Sequence, residues 1–216
     1  MKFLKHKALL FISLGLNIVF LFLVFHYSIN NRESLMQKWI EKKEKATIVM
    51  FGDSHTARPD WNVLLSRCDI KRSAYGGFTS EQLLFRIQSD VIRYQPKICF
   101  VQCGGNDINS ACFSAEEVVR NLQQIINILQ ANKIVPVVQS LFHRNNNPEY
   151  NKKVEKLNDF IQELAMDKNV QYLNIDKFLI DKNGLKKDLT VDNIHLNAKG
   201  YDIWVGQLKA FLFEFE

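Results

Sequence analysis

Short apolar runs alternate along this chain with longer segments in which apolar residues recur at helical spacing. The runs short enough to be buried strands lie at residues 47–51, 69–75, 97–103, 133–140 and 170–175. The periodic segments predict helices at residues 60–67, 80–93, 115–131, 149–167 and 198–213. Strands that alternate with helices are typical of a parallel sheet covered on both faces. The pattern therefore predicts a three-layer α/β domain over residues 46–216.

A different pattern precedes this domain, because residues 8–27 form one long apolar run. The run contains no charged group except His26, and its length matches the ~30 Å hydrocarbon core of a bilayer. A cleaved signal peptide would have a shorter apolar core and a cleavage site of small residues, and no convincing site follows here. We therefore expect residues 1–27 to be a tail and transmembrane signal anchor, and residues 28–45 to be a charged helical stalk.

The charges that flank this run do not decide its orientation. Three lysines precede it and five basic residues follow it before residue 46, so the positive-inside count is not decisive. A short, lysine-rich tail favours the N-terminus inside the cell and the domain outside the cytoplasm. A domain that faces the cytoplasm is the alternative, and a reporter fused at Glu216 would distinguish the two.

The net charge of +5 belongs to the N-terminal segment and not to the domain. Residues 1–45 carry eight basic and three acidic groups, whereas residues 46–216 carry twenty of each. A neutral domain gives no indication of a nucleic-acid partner. The basic excess lies where it could contact anionic lipid head groups.

The four cysteines do not have the spacing of a metal site or of a C-x-x-C pair. Cys99 and Cys103 are four residues apart in a predicted strand, which is too far for them to bridge each other. Buried free thiols are the expectation, and a bridge between Cys103 and Cys112 is left open for a domain outside the cytoplasm.

Residues that can take part in catalysis or binding follow the predicted strands. The ligands of parallel sheets bind at these strand ends. Gly52-Asp53-Ser54 ends the first strand, Gly76-Gly77 follows the second, and Gly104-Gly105-Asn106-Asp107 follows the third. Asp192 and His195 lie together just before the last helix. Each segment alone could be ordinary turn or capping chemistry. Together they supply the parts needed for acyl transfer, at one edge of the sheet.

These residue types suit that chemistry. A serine hydroxyl is a weak nucleophile until a base takes its proton, and imidazole serves as that base near neutral pH. A carboxylate such as Asp192 holds the imidazole of His195 in one tautomer. Backbone N–H groups at glycine and the amide of Asn106 can donate to the oxyanion that forms.

These segments resemble, in order, the sequence blocks of the SGNH, or GDSL-type, hydrolase superfamily. The resemblance covers about residues 46–213 and implies a flavodoxin-like fold. It implies that Ser54 is the nucleophile, that His195 and Asp192 complete the catalytic set, and that the N–H groups of Ser54 and Gly77 act with Asn106 on the oxyanion, with Gly76 as the fallback for Gly77. The chain departs from the family pattern in having GDSH instead of GDSL and in lacking the asparagine common upstream of the second block.

Three further residues are predicted to line the substrate cleft. His55 neighbours the nucleophile and is interpreted as part of the site wall, and His143 and Arg144 follow the fourth predicted strand. Asp107 is expected to brace its loop, and Cys103 to be a small buried side chain.

The sequence therefore predicts a membrane-anchored serine esterase that hydrolyses short-chain or acetyl esters. Its expected partners are the membrane, through residues 8–27, and an acyl ester on an envelope glycan or a lipid. The alternatives are an acyltransferase or glycan-binding partner in an envelope assembly, or a lysophospholipase or thioesterase. No metal or cofactor is implied, and the pattern does not predict an oligomeric state.

Overall fold

A computed structural model describes residues 16–27, 29 and 45–215 of the chain. The chain divides into two units, Met1–Glu44 and Lys45–Glu216. In the first unit, residues 16–27 are helical. Among the described residues, no helix has both the length and the apolar character needed to cross a membrane. Residues 8–15 of the predicted anchor, and the stalk except residues 29 and 45, lie outside the described residues, so anchor and stalk stay predictions.

The second unit contains a five-stranded sheet in which every pairing is parallel, in the order β2-β1-β3-β4-β5. Its strands are β1 Ile48–Gly52, β2 Ile70–Ala74, β3 Ile98–Gln102, β4 Val135–Gln139 and β5 Gln171–Leu173. The helices are α1 Ser54–Ala57, α2 Trp61–Leu65, α3 Ser80–Asp90, α4 Ala115–Ala131, α5 Pro148–Asp167, α6 Asp176–Leu179 and α7 Ala198–Phe215. This strand order is that of flavodoxin-like folds, and the predicted three-layer α/β architecture is confirmed.

Successive residues of a strand point to opposite sides of the sheet. Both faces of the sheet therefore present apolar side chains, and helices cover each face. On one face, Val49 and Phe51 pack in a core with α3, α4 and α5. On the other face, Ile48 and Met50 pack with α2, α6 and α7 around the fully buried Trp204. The central strands β1 and β3 are buried on both sides, which is why their runs in the sequence do not alternate. The edge strand β2 instead carries the polar residues Lys71 and Arg72.

The helix α4 shows how local sequence sets an element's boundaries. Its first turn is capped by Ser114, whose hydroxyl accepts the N–H of Glu117 at 3.2 Å. The apolar stripe of this helix, which includes Val118, Leu122 and Ile125, is buried against the sheet. Both ends of the helix lie where the sequence predicts them.

Three small elements were not predicted. They are the one-turn helices α1 and α6 and the hairpin of β6 Ile180–Asp181 with β7 Gly184–Leu185. Turns of 3-10 helix also occur at Ile92–Tyr94, Asp107–Asn109 and Lys187–Leu189. Elements of two to four residues are too short to show an apolar period, so pattern alone does not reveal them.

Replacing Gly104 with Ala is expected to destabilise the domain by roughly 2–4 kcal/mol. Gly104 follows β3 with φ of +120°, and an added Cβ would lie 2.9 Å from Val118 Cγ1 and 3.3 Å from the Leu141 side chain. Both the backbone conformation and the packing therefore oppose a side chain. Urea denaturation of the wild type and the variant measures the difference.

Gly206→Ala is the matched control for this measurement. Gly206 lies in α7, and no heavy atom is within 4 Å of the position that its Cβ would take. Because alanine favours a helix interior over glycine, this variant is expected to be more stable by about 0.5–1 kcal/mol. Equal effects of the two substitutions would contradict the packing argument.

Candidate active site

The end of β1 brings Ser54 to the carboxyl edge of the sheet. Asp53 caps α1 by accepting the N–H of His55 at 2.9 Å, and Ser54 is the first residue of that helix. Tyr201 of α7 donates its hydroxyl to the backbone oxygen of His55 at 2.9 Å. The start of the short helix is thus held by Asp53 and by Tyr201 of α7, and Ser54 is half-buried.

A continuous line of hydrogen bonds joins Ser54, His195 and Asp192. Ser54 Oγ lies 3.0 Å from His195 Nε2, and His195 Nδ1 lies 2.7 Å from Asp192 Oδ2. A carboxylate only accepts, so Nδ1 carries the ring proton and donates it to Asp192. Nε2 is then left with a lone pair that accepts the Ser54 hydroxyl proton. This is the arrangement that activates a serine for attack on a carbonyl carbon.

The loop before α7 holds Asp192 against His195. The second carboxylate oxygen of Asp192 accepts the backbone N–H groups of Ile194 at 3.0 Å and His195 at 2.7 Å. Thr190 donates its hydroxyl to the backbone oxygen of His195 at 2.8 Å. The two predicted residues, three apart, are therefore locked together within one turn.

These contacts keep Asp192 ionised. Its partial burial acts to raise the pKa, but the hydrogen bonds from the backbone and ring of His195 outweigh that effect and hold the pKa well below its usual range. Arg58 adds an exposed ion pair, with Nη2 3.7 Å from Asp192 Oδ2. A carboxylate that stays charged can stabilise an imidazolium at His195.

Asn106 lies in the loop after β3 and borders the same cavity as Ser54. Its Nδ2 donates to the backbone oxygen of Phe78 at 2.9 Å, which orients the amide and leaves its second N–H available. Asp107 accepts the backbone N–H and the hydroxyl of Ser80, the latter at 2.6 Å. Asp107 thus braces the loop, in the role that the sequence predicts for it.

The glycines of the second block lie in the loop after β2. A side chain placed on Gly76 would come 3.9 Å from Ser54 Cβ, whereas one on Gly77, where φ is +80°, would meet no heavy atom within 4 Å. Gly76 is thus the one of the pair whose side-chain position lies next to Ser54, and neither glycine is among the residues that line the cavity beside Ser54. A backbone N–H here is not obstructed by a side chain.

A cavity of about 140 Å³ opens beside Ser54. Its lining brings together residues that follow β1, β3 and β4 with residues of the loop before α7. They are Asp53, Ser54, His55, Gln102, Gly105, Asn106, Leu141, Phe142, Arg144, Tyr150, Ile194 and His195. This volume corresponds to roughly five water molecules in the liquid, so it accommodates a small group.

Two of the three predicted cleft residues border this cavity, and one does not. The centre of the His55 ring lies 5.2 Å from that of the His195 ring. Burial, and to a lesser extent the positive charge of nearby groups, lowers the pKa of His55 to about 3, so this side chain is neutral. Arg144 also lies in the lining. His143 instead points away: its Nδ1 lies 2.6 Å from Asp176 Oδ2, and its Nε2 lies 3.3 Å from Glu155. The expectation that His143 contacts substrate is corrected to a structural role, because both ring nitrogens are already occupied.

Asp53, which precedes Ser54, is almost fully buried. Burial raises its pKa to about 6, against the opposing effect of the hydrogen bond from the N–H of His55. A carboxyl in this state is partly protonated near neutral pH.

Two aromatic residues of the cavity wall were not predicted. Tyr150 lies in the first turn of α5 and donates its hydroxyl to the backbone oxygen of Gly105 at 3.0 Å. Phe142 follows β4 and packs edge-on against the His55 ring at 5.1 Å. Phe142 closely follows β4, so the strand-end rule that identified Asn106 could also have identified it. Tyr150 lies within α5, so that rule does not identify it.

The cysteines do not contribute to this site in the part of the chain that the structure describes. All four are free; Cys99 and Cys103 are buried, and Cys68 and Cys112 are exposed, which differs from the expectation of four buried thiols. Burial raises the pKa of the thiols of Cys99 and Cys103, so they stay protonated. Over residues 16–27, 29 and 45–215, no three His, Cys, Asp or Glu side chains are grouped to hold a metal ion.

Solved structures with the same fold include several ester hydrolases. A GDSL-like lipase from Bacteroides thetaiotaomicron is 24% identical, with a TM-score of 0.71 over 81% of this chain and 91% of that chain. A catalytic mutant of an acetylxylan esterase from Geobacillus stearothermophilus is 17% identical, with a TM-score of 0.65 over 78% and 93%. At these identities the likeness shows the fold.

Sequence comparison finds a curated relative and a matching family. An N-acylneuraminate cytidylyltransferase of Streptococcus agalactiae is 26% identical over 174 residues, and the match covers 79% of this chain and 40% of the relative's length. The model of the GDSL-like lipase/acylhydrolase family matches residues 50–203, which include Ser54, Asn106, Asp192 and His195. The chain therefore belongs to the GDSL-like lipase/acylhydrolase family.

Proposed function

We propose that this hydrolase works through a catalytic triad of Ser54, His195 and Asp192. The observation that supports this assignment is the unbroken hydrogen-bonded line from Ser54 Oγ to the Asp192 carboxylate, with distances of 3.0 and 2.7 Å. Ser54 Oγ attacks the acyl carbonyl while His195 Nε2 takes its proton. His195 then gives that proton to the departing alcohol oxygen, and the acyl group stays on Ser54.

Water completes the cycle by the same route. His195 takes a proton from water, the hydroxide attacks the acyl-enzyme, and the proton returns to Ser54 Oγ as the acid leaves. Asp192 stays ionised in each step and stabilises the imidazolium.

The oxyanion is stabilised, in this proposal, by three donors. These are the N–H of Ser54 at the start of α1, the N–H of Gly77, and the amide of Asn106. Support comes from the Asn106 amide at the cavity and from the open space around the adjacent glycine pair. A preorganised donor of this type contributes on the order of 10²–10³ in rate.

We propose short acyl groups, of acetyl size, carried on a carbohydrate as the substrate class. The small volume of the cavity supports a short acyl group over the long chains of lipid substrates. A carbohydrate is supported by the relatives, since one structural neighbour is named an acetylxylan esterase and the curated relative is named for N-acylneuraminate. Attachment to a membrane through residues 8–27, with the domain outside the cytoplasm, remains part of the proposal and draws on the apolar run alone.

Hydrolysis of p-nitrophenyl esters by the full chain, from acetate to decanoate, tests this function. We expect kcat/KM to be highest for acetate and at least about tenfold lower for decanoate. A site able to bury the longer chain would instead gain about 0.8 kcal/mol per methylene. Turnover in water without an added acceptor supports a hydrolase, whereas turnover that requires a sugar acceptor would indicate an acyltransferase.

A further inference from the structure

Arg144 forms part of the cavity wall next to the proposed nucleophile. Its guanidinium carbon lies 3.7 Å from the centre of the Tyr150 ring, so the two groups are stacked. Tyr150 is in turn tied by its hydroxyl to the backbone oxygen of Gly105, the residue before Asn106. The charged plane is therefore carried on the same rigid wall as the proposed oxyanion donor.

The backbone of Arg144 is also held on both sides. Its N–H donates to Asn151 Oδ1 at 2.8 Å, and its carbonyl accepts from Asn151 Nδ2 at 2.8 Å. Gly184 packs against the backbone carbonyl of Arg144. Any side chain at residue 184 would collide with that carbonyl. Because the backbone of Arg144 is already fixed, less conformational entropy is lost when a ligand binds to this residue.

The guanidinium nevertheless lacks a charged partner. Among the described residues, Arg144 forms no ion pair, and its buried Nε–H has no hydrogen-bond acceptor. Arg86, by contrast, pairs with Asp90 at 2.8 Å, and Arg58 near the site pairs with Asp192. A buried charged donor without an acceptor is unfavourable, so this arrangement fits a group that arrives with the substrate.

The acids at and beside the cavity are engaged by groups other than Arg144. His55 is neutral, and the carboxylate of Asp192 is already engaged by His195 and Arg58. Asp53 lies in the lining, and its carboxylate is used to cap α1 by accepting the N–H of His55. Arg144 therefore has no ion-paired carboxylate in the part of the chain that the structure describes.

We propose that Arg144 binds a carboxylate of the substrate, so that the enzyme acts on acyl esters of molecules that carry an acid group, such as acidic sugars. This inference rests on the proposed esterase function and specifies its substrate class. A carboxylate matches the planar fork of one guanidinium, and a single arginine neutralises a single charge. Arg144 is a specificity-determining residue in this account and takes no part in proton transfer.

Two matched pairs of small substrates test the proposal with the full chain. The acids are 3-acetoxybenzoate and 4-acetoxybenzoate, and the uncharged partners are the corresponding acetoxybenzamides. Each kcat/KM is divided by the rate of the uncatalysed hydrolysis, which removes the difference in leaving-group reactivity. We expect at least one acid to be preferred over its amide by about tenfold or more, mainly through a lower KM.

Arg144→Gln is expected to abolish this preference by lowering kcat/KM for the acid about 10–100-fold, with the amide changed less than about threefold. Retained turnover of the amide shows that the variant is folded. Arg120→Gln, the same change at an exposed arginine on α4, is expected to leave both substrates unaffected. Arg144→Lys is expected to restore only part of the preference, because an ammonium lacks the bidentate fork.

Other outcomes would overturn the proposal. If wild-type enzyme prefers neither acid, or if Arg144→Gln slows acid and amide equally, Arg144 does not recognise a carboxylate, while the esterase function stands. If the wild type hydrolyses none of these esters and no p-nitrophenyl ester, the proposed function itself fails, and this inference fails with it.

Discussion

Ser54→Ala is expected to lower kcat/KM for p-nitrophenyl acetate by at least roughly 10³-fold. Alanine removes the oxygen that lies 3.0 Å from His195 Nε2, so no acyl-enzyme can form. The fold should be unaffected, because alanine suits a helix and Ser54 is the first residue of α1. Thermal unfolding of the variant, measured beside its activity, separates loss of chemistry from loss of structure.

Ser89→Ala is the matched control for that loss. Ser89 is an exposed serine of α3, and its hydroxyl contacts only groups of its own helix, Arg86 and Asp90. The same substitution there should leave kcat/KM within about twofold. Activity retained in Ser54→Ala, or lost equally in Ser89→Ala, would refute Ser54 as the nucleophile.

Asp192→Asn is expected to reduce kcat by roughly 10³–10⁴-fold through a change of tautomer at His195. One oxygen of Asp192 accepts the N–H groups of Ile194 and His195, and the other accepts from His195 Nδ1. An asparagine must keep its oxygen on the two backbone donors, so its NH2 faces Nδ1. The ring then carries its proton on Nε2, where it cannot accept the proton of Ser54.

The change of tautomer at His195 can be measured by NMR spectroscopy as well as through kcat. Nitrogen-15 shifts of His195 should indicate a protonated Nδ1 in the wild type and a protonated Nε2 in Asp192→Asn. Asp188→Asn, at an exposed aspartate of the preceding turn, should change neither the shifts nor kcat. A low kcat with an unchanged tautomer would show that Asp192 acts by its charge alone.

Most of the fold was predictable because the central strands β1 and β3 are buried on both faces. Continuous apolar runs such as residues 97–103 have no other stable placement, and the observed β3, Ile98–Gln102, lies within that run. The predicted strand at 170–175 was too long, since β5 covers only Gln171–Leu173 at the edge of the sheet. An edge strand has one neighbour, and its length depends on pairing that the apolar pattern does not encode.

The site was predictable where chain connectivity alone determines position. Ser54 and Asn106 directly follow parallel strands, and such strands end at one edge of the sheet, so their proximity follows from topology. His143 follows a strand as well, but its ring turns toward Asp176, 33 residues later in the sequence. That contact depends on how α6 packs, and a one-turn helix leaves no periodic trace in the sequence.

The buried carboxyl of Asp53 links folding of this domain to proton uptake. Its pKa rises from 3.8 when exposed to about 6 in the fold, so folding between these pH values takes up a proton from solvent. Because folding raises the pKa of Asp53, the contribution of this carboxyl to the stability of the fold is most favourable below pH 3.8 and is lost as the pH rises through 6. The difference amounts to about 3 kcal/mol at most, since one pKa unit corresponds to 1.36 kcal/mol. The residue that caps the helix beginning at Ser54 therefore also makes the domain's stability depend on acidity.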